Sequence, residues 1–167
     1  MAYPTGTDIK AKLVESAAVK MATADLYADA IIVTAQMIAD ALAEGSKLML
    51  CGNGGSAGDA QHIAAEFVAT LDHRRPRGGL AALALTTDTS FITAYANDFG
   101  FEGIFQRQVE ALGREGDVLI GISTSGNSAN VIAAFEAART AGIKTIGFTG
   151  EGGGKLAPLS DLSLIHI

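Results

Sequence analysis

The chain has 167 residues, 49% hydrophobic and 18% charged, which suits one domain folded around one core. Its formal net charge of −6 argues against nucleic-acid binding, because nucleic-acid-binding domains are normally basic. Cys51 is the only cysteine, which excludes an internal disulfide and fits a reducing, cytoplasmic compartment. We find no apolar stretch that approaches the roughly 18 residues of a membrane span, and no signal-peptide pattern at the N-terminus.

Two helices are predicted before the first strand. Apolar side chains recur at helical spacing over residues 8–24 and 26–43, and Gly45 is suited to end the second helix. In the first helix the recurring residues are Ile9, Leu13, Ala17 and Met21. This N-terminal helical segment, about residues 1–45, either covers the sheet or packs against another subunit. Because a five-stranded domain does not need both helices, we predict a homotetramer.

The remaining residues, about 46–167, alternate strands with helices. The predicted strands are Lys47–Cys51, Leu80–Thr86, Val118–Ile122, Lys144–Thr149 and Asp161–Ile167. The predicted helices between them are Ala57–Leu71, Ser90–Ala96, Gly103–Leu112 and Ala129–Ala141. Continuous apolar strands that alternate with helices indicate a parallel sheet covered on both faces. The fold class is therefore α/β, a doubly wound five-stranded sheet in a three-layer α/β/α arrangement, and residues 1–167 form a single domain.

Two strand-to-helix loops have the composition of an anion-binding site. The loop Gly52–Ala57 contains three glycines that let the backbone turn and bring N–H groups close to an anion, and Ser56 is suited to cap the next helix. The loop Ser123–Ser128 brings four hydroxyls to a helix start, those of Ser123, Thr124, Ser125 and Ser128. Ligands of open parallel sheets bind beyond the carboxyl ends of the strands, and helix N-termini favour phosphate. The loops therefore predict a phosphate site.

Two other interpretations of these loops compete with a phosphate site. Any α/β protein needs turns and helix caps at such points, although two such loops in one short domain favour a site. Residues 52–57 also match the dinucleotide fingerprint G-x-G-x-x-A. That fingerprint expects an acidic residue about twenty positions further on. The nearest candidate, Asp88, lies more than thirty positions past the loop and also suits a helix cap.

Three segments carry a family resemblance: CGNGGSAGDAQHIAAEF, ALTTDTSFITAYANDFGFE and VEALGREGDVLIGISTSGNSANVIAAFEAAR. With the spacing between them they cover nearly the whole chain after the first predicted helix. In this order they resemble the sugar isomerase (SIS) domain family, and within it the isomerases of seven-carbon sugar phosphates. The resemblance implies conversion of sedoheptulose 7-phosphate to D-glycero-D-manno-heptose 7-phosphate through an enediolate, in the supply of heptose for lipopolysaccharide. It also implies a homotetramer with active sites shared between subunits.

The resemblance implies roles for individual residues as well. Substrate-binding roles fall on Asn53, Gly54, Gly55, Ser56, Glu66, Asn97, Asp98, Ser123, Thr124, Ser125 and Ser128. Glu66 also matches the catalytic residue, and isomerisation does need a base that moves a proton between two carbons. His62 and Glu66 match two ligands of one Zn²⁺ per subunit. Without the resemblance, these two residues would be an ordinary exposed pair one helical turn apart.

The chain departs from the family pattern in two places. Ala69 and Thr70 stand where the family has a Gly-Arg pair, with Arg74 or Arg75 as candidate substitutes. The sequence also ends at Ile167, before the helix that in the family supplies further metal ligands and an acid/base, so we expect an incomplete zinc site and weak activity. An isomerase of a different phosphosugar is an open alternative. So is a non-catalytic SIS protein, a phosphosugar sensor or a replication-initiator adaptor, which the presence of His62 and Glu66 disfavours.

Overall fold

The computed structural model describes residues 3–165, which form five helices and five strands. The helices are α1 Gly6–Ala43, α2 Gly55–Val68, α3 Thr89–Phe99, α4 Ile104–Leu112 and α5 Ala129–Thr140. The strands are β1 Leu48–Gly52, β2 Ala82–Ala84, β3 Val118–Ser123, β4 Lys144–Thr149 and β5 Leu162–Ile165. Short 3₁₀ turns occur at Phe101–Gly103 and Ala157–Leu159. The predicted fifth strand extends to residues 166 and 167, which lie outside the described residues.

The five strands form one parallel sheet in the order β2-β1-β3-β4-β5. The chain moves from β1 outward to β2 and then returns to the other side of β1, so the direction of winding changes between β1 and β3. In open α/β sheets, ligands bind at this switch point, beyond the carboxyl ends of the strands. The predicted doubly wound α/β fold is confirmed, and the two candidate loops follow the two strands at the switch point.

Each face of the sheet has its own hydrophobic core. On one face, Met49 and Leu119 pack with residues of α4 and α5, and on the other face, Leu48 and Ile120 pack with residues of α1 and α2. β1 and β3 are buried along their whole length, because they are central strands covered on both sides. Cys51 belongs to the first core, and burial raises the pKa of its thiol to about 12. This cysteine is therefore a packing residue and not a nucleophile.

The two predicted N-terminal helices are a single helix in the structure. The expectation of a break near residue 25 is wrong: α1 runs without interruption from Gly6 to Ala43. No glycine or proline occurs between residues 7 and 44, and an aspartate such as Asp25 lowers helix propensity too little to end a helix. The start of α1 is fixed by a capping box in which Thr5 and Asp8 bond each other's backbone N–H groups.

Most of the apolar surface of α1 is exposed within one chain. Only Thr34 and Ile38 of this helix are buried. Its large exposed hydrophobic residues are Ile9, Leu13, Val14, Val19, Met21, Leu26, Ile31, Ile32 and Val33. By length and composition alone, α1 also meets the criterion for a membrane-spanning helix. The expectation that no stretch approaches that criterion is therefore wrong, because a few separated charges do not prevent a long helix from meeting it.

The boundaries of other elements differ from their predictions by a few residues. β2 has three residues, Ala82–Ala84, where the apolar run predicted seven. α2 begins at Gly55 and ends at Val68, earlier than predicted at both ends. α3 extends to Phe99, beyond the predicted end at Ala96. Gly103, the predicted first residue of the next helix, belongs to a 3₁₀ turn, so α4 begins one residue later at Ile104. These shifts leave the order of elements unchanged.

Candidate active site

The first loop turns sharply because it contains glycine at two demanding positions. A Cβ at Gly52 would lie 2.8 Å from the Ser56 Cβ and 3.0 Å from the Ile122 carbonyl oxygen, so only glycine fits between the loop and β3. Gly54 has φ +57°, a conformation that favours glycine, and is the N-cap of α2. The expectation that Ser56 caps this helix is therefore wrong. Ser56 is the second residue of α2, because the turn at Gly54 starts the helix two residues earlier than predicted.

The second loop, at the end of β3, presents its four hydroxyls in two different ways. The Ser123 and Ser128 hydroxyls lie 2.9 Å apart and hydrogen-bond each other, and Ser123 is buried. Thr124 and Ser125 are exposed at the carboxyl edge of the sheet. The Ser125 Oγ accepts a hydrogen bond from the Asn127 N–H at 3.1 Å. Ser128 is the N-cap of α5, so this loop leads directly into a helix N-terminus.

The loop after β4 packs against the second loop and supports it. The Leu156 N–H donates to the Gly126 carbonyl at 2.9 Å, and the Gly150 N–H donates to the Thr124 carbonyl at 2.9 Å. Gly126 has φ +63°, and a Cβ there would lie 2.6 Å from the Gly153 carbonyl carbon. The two backbones therefore touch directly. The sequence shows a glycine cluster after β4 but does not show that it supports the hydroxyl loop.

A pair of asparagine side chains joins the two candidate loops. The Asn53 Nδ2 donates to the Asn130 Oδ1 at 2.9 Å, and the Asn130 Nδ2 donates to the Asn53 Oδ1 at 2.8 Å. Asn130 is the second residue of α5 and is 4% exposed, whereas Asn53 is exposed. Sequence reasoning assigned a role to Asn53 and missed Asn130. The signal available was an asparagine one residue into the helix that follows the hydroxyl loop.

His62 and Glu66 lie on α2 but not next to the loops. Their Nε2 and Oε1 atoms are 3.2 Å apart, and their side chains are 75% and 32% exposed. Glu66 lies eleven residues after the start of α2, which at 1.5 Å per residue is about 16 Å along the helix. The structure therefore brings the two loops together in one chain and leaves Glu66 about three helical turns away.

The chemistry of His62 and Glu66 suits zinc, but the set is incomplete. An imidazole nitrogen and a carboxylate oxygen are common zinc ligands, and two ligands at about 2.1 Å in a tetrahedral site stand about 3.4 Å apart. The 3.2 Å separation of these atoms is close to that value. Within residues 3–165, no group of three or more His, Cys, Asp or Glu residues could hold a metal ion. One chain thus offers part of a zinc site.

The remaining predicted residues lie in or next to α3 and in the loop between α2 and β2. Asn97 and Asp98 are exposed near the end of α3, where the Asn97 Nδ2 donates to the Asp98 Oδ1 at 2.8 Å. Asp88 caps α3 by accepting from the Phe91 N–H at 3.0 Å, as expected. Arg74, a candidate substitute for the family arginine, forms an exposed pair with Asp72. A ligand contact for any of these residues stays a prediction.

Comparison with known proteins identifies what the chain is similar to. Residues 14–150 match the family described as SIS domain. The chain is 58% identical over 146 residues to the phosphoheptose isomerase of Roseiflexus sp. (87% of this chain, 73% of that protein). It is 65% identical over 126 residues to that of Desulfovibrio desulfuricans (75% of this chain, 59% of that protein). It is 56% identical over 151 residues to that of Aquifex aeolicus (90% of this chain, 78% of that protein).

Solved structures give the same result. A phosphoheptose isomerase from Francisella tularensis superposes with a TM-score of 0.92 at 38% identity, covering 98% of this chain and 87% of that one. The phosphoheptose isomerase of Neisseria gonorrhoeae superposes with a TM-score of 0.86 at 45% identity, covering 93% of this chain and 82% of that one. The chain spans 59% to 78% of the length of the three relatives compared by sequence.

Proposed function

The chain belongs to the SIS domain family, among its phosphoheptose isomerases, and we propose that the protein converts sedoheptulose 7-phosphate to D-glycero-D-manno-heptose 7-phosphate. The observation that carries this proposal is the pair of loops at the switch point, a hydroxyl loop at a helix N-terminus joined to a glycine loop by Asn53 and Asn130. This arrangement suits a phosphate with a polar sugar attached. A non-catalytic sensor or adaptor is not favoured, because the relatives above are isomerases.

We assign the phosphate of the substrate to the hydroxyl loop. Thr124 and Ser125 are exposed there, and the N-terminus of α5 adds backbone N–H groups and a partial positive charge. This local field is needed because the whole chain carries a net charge of −6 and would repel an anion. We assign the sugar hydroxyls to the glycine loop, where Asn53, Gly54 and Gly55 are exposed.

We assign the proton transfer between C1 and C2 to Glu66. A base must come within about 3.2 Å of the proton that it abstracts. In one chain the substrate would have to bridge about three helical turns of α2 between the loops and Glu66. A site shared between subunits removes this difficulty, because Glu66 of one subunit then faces the loops of another. The enediolate would be stabilised by hydrogen-bond donors at the same site.

We also propose that His62 and Glu66 hold a zinc ion together with further ligands that residues 3–165 of the same chain do not supply. Their 3.2 Å separation supports this, and a stable zinc site needs at least three protein ligands. When bound, zinc would supply Lewis-acid polarisation of the sugar oxygens. If Glu66 serves as a metal ligand throughout, its carboxylate still has a second oxygen available for the proton.

A homotetramer is the assembly that we propose for the protein. Many apolar residues of α1 are exposed to water in one chain, among them Leu13, Met21 and Ile32. Burying this apolar surface against another subunit would stabilise association by about 25 cal/mol per Å². A second copy of α1 offers an apolar surface of the same length. We propose a cytoplasmic location, because the substrate is a phosphorylated sugar and Cys51 is a free thiol. The product would enter heptose and lipopolysaccharide precursor synthesis.

The proposed function is tested by turnover of sedoheptulose 7-phosphate with and without added zinc, followed by NMR of the sugar. Glu66→Gln keeps the shape of the side chain and removes the base, so we expect kcat to fall by about 10²- to 10⁴-fold. Glu136→Gln, which removes an exposed carboxylate from α5, is the matched control and should retain full activity. Equal activity of Glu66→Gln and Glu136→Gln would contradict the assignment of the base. A wild-type protein that binds zinc and sedoheptulose 7-phosphate but does not convert the sugar would contradict the proposed function.

A further inference from the structure

Asn130 is a buried polar side chain next to the two loops that the proposed mechanism does not use. It is 4% exposed and lies in the first turn of α5, next to Val131, which packs in the core. A buried amide costs free energy unless it is hydrogen-bonded. The Asn130 amide reaches out of the helix and bonds the side chain of Asn53, which is 77 positions away in the sequence.

The geometry points to Asn130 as a positioning residue for Asn53. Two reciprocal hydrogen bonds of 2.8 and 2.9 Å hold the plane and the direction of the Asn53 amide. Each amide has two N–H groups and an oxygen with two lone pairs. In the pair, each amide uses one of its N–H groups and one of these lone pairs. The second N–H and the second lone pair of the exposed Asn53 remain available at the carboxyl edge of the sheet.

This inference rests on the proposed function, in which Asn53 binds the sugar. A free asparagine side chain would lose rotational freedom when the substrate binds, whereas a side chain already held by Asn130 has lost it beforehand. The pair also ties the glycine loop to the helix whose N-terminus carries Ser128 of the hydroxyl loop. Asn130 thus fixes the distance between the group that binds the phosphate and the group that binds the sugar.

A double-mutant cycle tests the role of Asn130. Asn130→Leu has a similar volume without hydrogen bonds, and we expect KM for sedoheptulose 7-phosphate to rise by about 3- to 30-fold, the range for one or two ordinary hydrogen bonds. In the Asn53→Ala background the same substitution should raise KM by less than about 2-fold, since the group it positions is gone. Val131→Ala is the matched control: it leaves a cavity in the same turn of α5, and should lower Tm while KM stays unchanged.

The outcomes of this cycle separate the inference from the proposed function. An unchanged KM in Asn130→Leu, or an equal rise of KM with and without the Asn53 side chain, overturns the positioning role while the enzyme remains active. A wild-type protein that binds zinc and sedoheptulose 7-phosphate without converting the sugar overturns the proposed function, and this inference with it. If Asn130→Leu does not fold, Asn130→Ser, which is tolerated in a first helical turn and cannot form the reciprocal pair, takes its place in the cycle.

Discussion

The two loops at the switch point differ in how tightly the rest of the chain holds them. In the hydroxyl loop, a Cβ at Gly126 would lie 2.6 Å from the Gly153 carbonyl carbon, and the loop after β4 bonds its backbone at two places. In the glycine loop, Gly52 packs closely against β3 and Asn130 holds the Asn53 amide, but a Cβ at Gly54 would have no heavy atom of the described residues within 4 Å. A tightly held loop suits a group of constant shape, such as phosphate, and an open loop leaves room for the sugar.

The largest loss of affinity for sedoheptulose 7-phosphate is expected from Gly126→Ala. The substitution places a side chain at φ +63° against the Gly153 backbone, so the hydroxyl loop must move. Two or more hydrogen bonds to a charged group, each of about 1.5–3 kcal/mol, would then be lost together. We expect calorimetry to show affinity for sedoheptulose 7-phosphate at least about 100-fold weaker.

Gly58→Ala is the matched control for this substitution. Gly58 lies inside α2, and a Cβ there meets no heavy atom of the described residues within 4 Å. We expect the free energy of unfolding to rise by about 0.5–1 kcal/mol with affinity unchanged, because alanine favours a helix interior over glycine. Equal losses of affinity in the two variants would show that the contact with Gly153 does not hold the hydroxyl loop.

A smaller effect is expected from Ser125→Ala, which removes one exposed hydroxyl from the same loop. We expect binding of sedoheptulose 7-phosphate to weaken by about 1–3 kcal/mol, the value of one hydrogen bond to a charged group. Binding of unphosphorylated sedoheptulose should not change. Ser46→Ala, at the amino end of β1 and on the opposite edge of the sheet, serves as the control. A similar loss for both sugars in Ser125→Ala would place Ser125 against the sugar and not the phosphate.

The fold could be predicted from the sequence because its signals are local. Five apolar runs alternate with helical patterns, which predicts a parallel sheet, and three of these runs end in residues rich in glycine, serine and threonine, which predicts the edge at which a ligand binds. The helix boundaries were less reliable. The break predicted in α1 failed because no glycine or proline is present there, and the cap predicted at Ser56 failed because Gly54 starts α2 earlier.

The contacts between loops could not be predicted from one sequence. Asn53 and Asn130 are 77 positions apart, and nothing in either segment indicates that their amides meet. The same is true of Gly126 and Gly153, whose close approach depends on how the loop after β4 folds back over β3. The position of Glu66 along α2 follows from counting residues. Its distance of about three helical turns from the glycine loop follows from the structure, because α2 starts at Gly55 and continues without a break past Glu66.

The most direct test of the central claim compares two ligands on the wild-type protein. If the hydroxyl loop and the N-terminus of α5 bind the phosphate, sedoheptulose 7-phosphate should bind at least about 100-fold more tightly than sedoheptulose, the effect of two charge-assisted hydrogen bonds. Inorganic phosphate should compete with the phosphorylated sugar in the same calorimetric titration. Equal affinity for the two sugars, with no competition by phosphate, would contradict the phosphate site on which the proposed isomerase function rests.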